Sequence, residues 1–187
     1  MSPSSPRVSI GLPVYNGETY LGLAIDSILA QTFTDFELVI CDNCSTDRTQ
    51  EICEHYAKQD ARVRYYRNPE NLGAGPNYDR TFELSSGEYF KWMAHDDLIA
   101  PEFLEKCVAA LDADPGAVLC HARVELMDAD GEVTASYDPG LNDTISNRVS
   151  DRFSAVIIPV HMGTDFFGVI RRTALEGSPL HGKYPGS

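Results

Sequence analysis

The stretch RVSIGLPVYNGETYLGLAIDSILAQTFTDFELVICDNCSTD, residues 7–47, decides the fold. It opens on a short β-type run, Arg7 to Val14, that stops at Tyr15-Asn16-Gly17. From Thr19 to Gln31, apolar residues fall at Leu21, Ala24, Ile25, Ile28 and Leu29, which is helical spacing. Phe36 to Cys41 is a second buried-strand run, closed by the turn-rich DNCSTD. Near-continuous apolar strands are the mark of a sheet covered on both faces. Strand, helix, strand therefore predicts parallel neighbours joined by a crossover helix.

The same alternation extends outward. Asp47 with Gln50 three residues on reads as a helix cap, and that helix runs to about Gln59. Arg62 to Tyr66 is a third strand. NPENLGAGPN, 68–77, reads as a loop, and a helix follows to about Ser85. The run from Tyr89 to Ala94 is a strand that ends abruptly in His95-Asp96-Asp97. Pro101 suits the first turn of a helix over 101–112. Ala117 to Met127 reads as one long strand, with a hairpin at DADGE, 128–132. Residues 138–152 read as a polar, mobile loop, and two apolar runs, FSAVIIPV and DFFGVIRR, close the chain. Residues 1–6 read as a disordered leader. The expected fold class is α/β: a Rossmann-like, mostly parallel sheet with helices on both faces.

Composition narrows the function. With 187 residues, 43% hydrophobic and 23% charged, the chain has the make-up of a soluble globular protein. Its net charge of −13 argues against nucleic-acid binding and against unaided docking on anionic lipid. No apolar run reaches the ~20 residues that span a bilayer, and MSPSSPRVSI is not a signal peptide. A cytoplasmic protein is expected, peripheral at a membrane only through partners. Five cysteines without a secretory signal do not suggest a disulfide framework. Cys41-x-x-Cys44 invites a metal or redox reading, but Cys41 continues the run ELVIC and reads as a core residue.

In parallel sheets, ligands bind beyond the carboxyl ends of the strands. Tyr15-Asn16, Asp42-Asn43 and His95-Asp96-Asp97 each follow a strand, so they should converge on one rim. Asp96 and Asp97 either cap the next helix and meet solvent, or hold a hard divalent cation, which prefers carboxylate and phosphate oxygens. Asp42 either forms an Asx turn or accepts hydrogen bonds from a base or ribose. Tyr15 either stacks on a base or covers the sheet edge. The glycines at 73 and 75 suit a loop passing close to phosphates, though no Gly-Lys-Ser/Thr follows to make a P-loop.

VSIGLPVYNGETYLGLAIDSILAQTFTDFELVICDNCSTDRT and NLGAGPNYDRTFELSSGEYFKWMAHDDLIAPEFLEKCV together resemble a family 2 glycosyltransferase of the GT-A fold. The resemblance spans residues 8 to about 110 closely and the rest more loosely. It implies that Pro13, Val14, Tyr15 and Asn16 line the nucleotide base pocket, with Glu18 nearby. It implies that Asp42 contacts the base, that Asn71 and Gly73 form the family's Asn-x-Gly loop, and that Asp96 lies near the ribose and phosphates. Asp97, with Asp96, would bind the divalent metal, Mn2+ or Mg2+. Many relatives carry an Asp where this chain has Ala94, and Ala-Arg-Asn where it has Asn77-Tyr78-Asp79; Arg80 is a substitute for that Arg on paper. Residues 7–97 would form the nucleotide-sugar-binding half, and 98–187 an incomplete acceptor-side half, of one GT-A domain.

The implied reaction moves a sugar from a nucleotide diphosphate sugar, UDP-linked at family level, to an acceptor hydroxyl of a saccharide or other molecule, with inversion. The acceptor needs a general base. In the family this is an Asp that follows a segment like FFGVIRRTALEGSPLHGKYPGS, so it is expected at or just past Ser187, and the chain reads as a fragment. Asp165, His161 and His121 are weak substitutes. Two alternatives stay open: a nucleotide-sugar-binding module without catalysis, and a metal-dependent nucleotidyltransferase. The latter usually shows a Gly-rich basic motif near the N-terminus, which LPVYNGE is not.

Overall fold

A computed structural model describes residues 5–138, 148, 150, 151 and 163–181. Strands β1 (Val8–Val14) and β2 (Phe36–Asp42) are buried along their whole lengths. They pair in parallel from Val8↔Phe36 to Val14↔Asp42. Strand β3 (Val63–Arg67) lies parallel on the outer side of β2, and β4 (Tyr89–Trp92) parallel on the other side of β1. Helices α1 (Leu21–Leu29), α2 (Thr49–Gln59) and α3 (Ala74–Glu83) make the crossovers. Helix α4 (Phe103–Ala113), a two-residue strand β5 (Leu119–Cys120), strand β8 (Val169–Arg171) and helix α5 (Arg172–Glu176) complete the unit. The sheet order is β3-β2-β1-β4-β8-β5, with β8 antiparallel to both of its neighbours.

The period-2 alternation of strands sorts the two faces. Val8, Ile10, Leu12, Leu38, Ile40 and Tyr89 form one core with Leu21, Ile25 and Ile28 of α1 and Leu104, Val108 and Leu111 of α4. Burying each such aliphatic side chain contributes about 1.5–3 kcal/mol. The opposite face meets α3. There Phe90 packs edge-on between Phe82 and Trp92, with ring centroids 5.0 and 4.7 Å apart. Gly11 lets the helix approach: a Cβ there would lie 2.3 Å from Thr81 Oγ1. Below the aromatic layer, Glu37 accepts hydrogen bonds from Ser9 Oγ at 2.7 Å and Ser86 N at 2.8 Å and pairs with Arg64, tying β2 to the turn that enters β4.

Residues His121–Gly168 form a second compact unit, separate from the unit that holds the sheet. Its described part contains the antiparallel hairpin of β6 (Val124–Met127) and β7 (Val133–Tyr137). The DADGE turn forms as expected: Asp128 Oδ1 accepts from Asp130 N and Glu132 N at 3.0 Å, and Gly131 takes φ +84°.

Several expected elements shift. The long strand Ala117–Met127 is instead two strands in different sheets, because β8 offers partners only for Leu119 and Cys120. Helix α3 begins at Ala74, inside the expected loop, since Pro76 in a first turn loses no needed N–H. Asp47 does sit at the start of α2, accepting from Thr49 N at 3.0 Å, but Gln50 does not complete a capping box; it bonds Glu54 at 2.8 Å. Helix α4 starts two residues after Pro101. DFFGVIRR is split between a 3-10 turn, Thr164–Phe167, and β8. FSAVIIPV and most of the polar segment 138–152 lie outside the described residues. Among the described residues, no helix is long and apolar enough to cross a membrane.

Candidate functional site

The three polar clusters meet at the carboxyl ends of β1, β2 and β4. Asn43 N donates to Val14 O at 2.8 Å, and Met93 N donates to Gly11 O at 2.9 Å, which fixes the levels of the three strand ends. Gly17 is the closest meeting point. A Cβ on it would fall 2.8 Å from the His95 ring and 2.6 Å from Val14, so the His95 imidazole rests on this turn.

The turn after β1 is fastened to the turn after β2. Asn16 N and Gly17 N donate to Ser45 Oγ and Thr49 Oγ1 at 2.9 and 2.8 Å. Asn16 Oδ1 accepts from Thr46 N at 2.9 Å, and Asn16 holds φ +52°, a conformation Asn tolerates. Glu18 N donates to Asp47 Oδ2, while Glu18 Oε2 accepts from Arg48 N. Of the four residues assigned to a base pocket, Pro13 and Val14 are buried in the strand, whereas Tyr15 and Asn16 are exposed. Tyr15 is 45% exposed and is the one free to stack on a ligand.

Asp42 is wholly buried. Its Oδ1 accepts from Ser45 N at 2.8 Å, and its Oδ2 accepts from Tyr65 Oη at 2.8 Å and faces Arg67 Nε at 3.3 Å. The Asx turn is thus present, and the carboxylate anchors Tyr65 and Arg67 beneath the rim.

Beside it lies an amide cluster that the sequence did not announce. Asn43 Nδ2 donates to Asn71 Oδ1 and Gly73 O at 2.8 and 3.1 Å, and Asn43 Oδ1 accepts from Leu72 N and Asn68 Nδ2. Asn68 Nδ2 also reaches Asn77 Oδ1, and Asn77 Nδ2 donates to Cys41 O. These amides mould the loop through Asn71 and Gly73 against β2. Gly73 takes φ +87°, with open space where a Cβ would point. The backbone conformation, not crowding, calls for glycine there.

Asp96 and Asp97 stand exposed at the mouth of β4. The Asp97 carboxyl is nonetheless pushed above the usual carboxylate range, first by the protein that desolvates it and then by the charge of Asp96; Lys91 and His95 pull the other way. Tyr78, at the rim end of α3, has its phenol raised by burial and by the charges of Asp96 and Asp97, so it belongs to the same neighbourhood. Its carbonyl accepts from Trp92 Nε1 at 3.1 Å. Asp79 meets His181 Nδ1 at 2.8 Å, and the His181 ring lies 5.1 Å from both Tyr78 and Trp92. Tyr78, Asp79, His181 and Lys91 were all missed in sequence, because their roles depend on a helix face and a distant segment meeting at β4. Arg80 lies about 9 Å along α3 from the rim end.

Two carboxylates, accessible and mutually repelling, suit a hard divalent cation whose other ligands come from phosphate and water. Among the described residues no group of three or more His, Cys, Asp or Glu is placed to hold a metal by itself. The raised Asp97 carboxyl shows a site that gains from a cation. Cys41 is buried in β2, its thiol pushed up to about 12 by burial, as a core residue should be. Cys44 sits on the next turn at φ +64°. Asp165 lies on the turn Thr164–Phe167, His121 opens the second unit, and His161 falls outside the described residues.

Known proteins share this architecture and these motifs. An uncharacterised glycosyltransferase of Rickettsia typhi is 38% identical over 125 residues, covering 66% of this chain and 38% of that protein. One from Haemophilus influenzae is 38% identical over 101 residues, covering 54% of this chain and 40% of its own length. The chain thus spans about two fifths of these relatives. The crystal structure of S. aureus TarS 1-349 in complex with UDP-GlcNAc superposes with a TM-score of 0.54 at 30% identity, over 57% of this chain and 31% of that one. The same protein in complex with UDP gives a TM-score of 0.68 over 91% of this chain at 23% identity, which extends the likeness of fold alone. The fold is therefore that of the GT-A glycosyltransferases. The family model described as Glycosyl transferase family 2 matches residues 9–177, and the chain belongs to that family.

Proposed function

We propose that the rim binds a nucleotide diphosphate sugar, UDP-linked, and that the enzyme transfers its sugar to an acceptor hydroxyl with inversion. The observation that carries this is the meeting of the Tyr15–Glu18 turn with His95-Asp96-Asp97 at Gly17, on the ligand-binding end of a family 2 sheet. TarS, 30% identical over the matched part, is seen with UDP-GlcNAc, which favours uridine here.

Tyr15 presents its ring to the base. Asn16 and Glu18 hold the turn that carries it, and Asp42 backs the pocket through Tyr65, Arg67 and the Ser45 turn. Asn71 and Gly73 place backbone at the pocket edge, steadied by Asn43. Asp96 faces the ribose and phosphates, and Asp97, with Asp96, holds the divalent cation, Mn2+ or Mg2+. When bound, such a cation neutralises charge that builds on the departing diphosphate. Attack by the acceptor from the face opposite the diphosphate inverts the anomeric carbon. The rim carboxylates are committed to donor and cation, so the base role is not assigned to them.

Calorimetry with UDP, with and without Mn2+, tests the site. Binding that strengthens with Mn2+ and loses that gain in Asp97→Ala is expected. Metal-independent binding untouched by Asp97→Ala sinks the metal role; absence of UDP binding under both conditions sinks the donor site. Because the chain spans a minor part of its relatives, donor binding without transfer is a second reading. Incubation with a labelled sugar nucleotide and analysis for a glycosylated product separates the two.

A further inference from the structure

Strand β4 sends Phe90 and Trp92 toward α3, and Tyr89 and Lys91 toward α4, where Tyr89 bonds Asp112 and Lys91 meets Phe103. Lys91 is therefore a cation inside an aromatic and aliphatic layer, only 2% exposed. Its Nζ lies 4.9 Å from the Phe103 ring centroid and donates to the carbonyl of Trp92 at 3.1 Å. Trp92 is the last residue of the strand, so the ammonium sits at the rim end. Just beyond, the chain turns back through the contact of Asp97 N with Ala94 O, which sets the acid pair over the strand end. An ammonium in such a layer is costly unless an opposite charge faces it. Asp97 is that charge: burial pulls the Lys91 ammonium down to about 8, and Asp97 opposes the pull, while Lys91 in turn holds Asp97 lower than burial alone would.

We propose that Lys91 is a positioning residue of the acidic site: a fixed internal counter-charge that steadies Asp97 before a cation arrives and, by like-charge repulsion, loosens the cation's hold. The second half rests on the reading that Asp96 and Asp97 bind a divalent cation. Such a site stays ordered when empty and gives its cation up readily.

The test uses the full chain and its Lys91→Met, Asp97→Asn and doubly substituted variants. Thermal unfolding in EDTA measures the first half. Lys91→Met is expected to lower Tm, and adding Asp97→Asn to it is expected to recover part of the loss. Additive losses, the outcome if Lys91 serves only the Trp92 carbonyl, overturn the proposal. Should Lys91→Met fail to fold, a folded double variant shows the same coupling, and a double variant that also fails overturns it. Calorimetry with Mn2+ alone at pH 8 measures the second half. Lys91→Met is expected to bind Mn2+ roughly three- to tenfold more tightly than the parent. Equal or weaker binding overturns the repulsion. Coupling in EDTA with no Mn2+ bound by any variant upholds the counter-charge and overturns the metal reading instead.

Discussion

Glu37 shows how a single buried carboxylate stays ionised. Burial alone would raise it, but hydrogen bonds from Ser9, Arg64 and Ser86 outweigh that and hold it below the usual range. Its folded pKa is depressed, so its stabilising effect is present above the unfolded value of ~4.3 and is lost as pH falls through the folded value. Glu37→Gln should cost about 2–3 kcal/mol at pH 7, and the gap to the parent should close under acid unfolding below about pH 4. Gly17 supplies a sharper test of the rim. Gly17→Ala must displace His95 or Val14, so it should weaken UDP binding at least tenfold by calorimetry while the protein stays folded. At this scale the sequence showed Asp96-Asp97 and Tyr15 well, since each directly follows a strand. It did not show that Asp42 lies inside, because an Asx turn and a ligand contact look alike until Tyr65 and Arg67 are seen to claim the oxygens.

Among the elements, β1, α1 and β2 lie close to where their apolar periodicity put them, and the sheet order followed from alternation alone. The misreadings came where a tertiary partner decides. Strand β5 ends at Cys120 because its neighbour β8 is only three residues long, a fact held some fifty residues downstream. Helix α3 starts early because Gly73 and the amides of Asn43, Asn68 and Asn77 shape its entry. Asn43 is the hub of that cluster. Asn43→Ala should destabilise the fold by about 2–3 kcal/mol and raise amide hydrogen exchange over residues 68–73, leaving exchange in β1 close to the parent's under native conditions. Uniform loss of protection across both would show that the cluster serves the sheet as a whole rather than this loop.

For the whole molecule, the informative feature is the pairing of Cys120 with Val169. The 48 residues of His121–Gly168 leave the sheet at one of these positions and re-enter at the other. Antiparallel partners are the places a tight hairpin joins, so the sheet's register does not depend on what the chain does between them. Replacing 121–168 by a four-residue Gly-containing turn should leave one cooperative thermal transition and preserve UDP binding to the rim. Loss of either would show that the sheet-bearing unit needs the excised segment. Closing a shorter loop is entropically easier, and each doubling of length costs only about 0.6 kcal/mol. That pair of residues thus works as a splice point: a lineage, or an engineer, can lengthen, shorten or exchange whatever is inserted there while the donor-handling sheet keeps its registration.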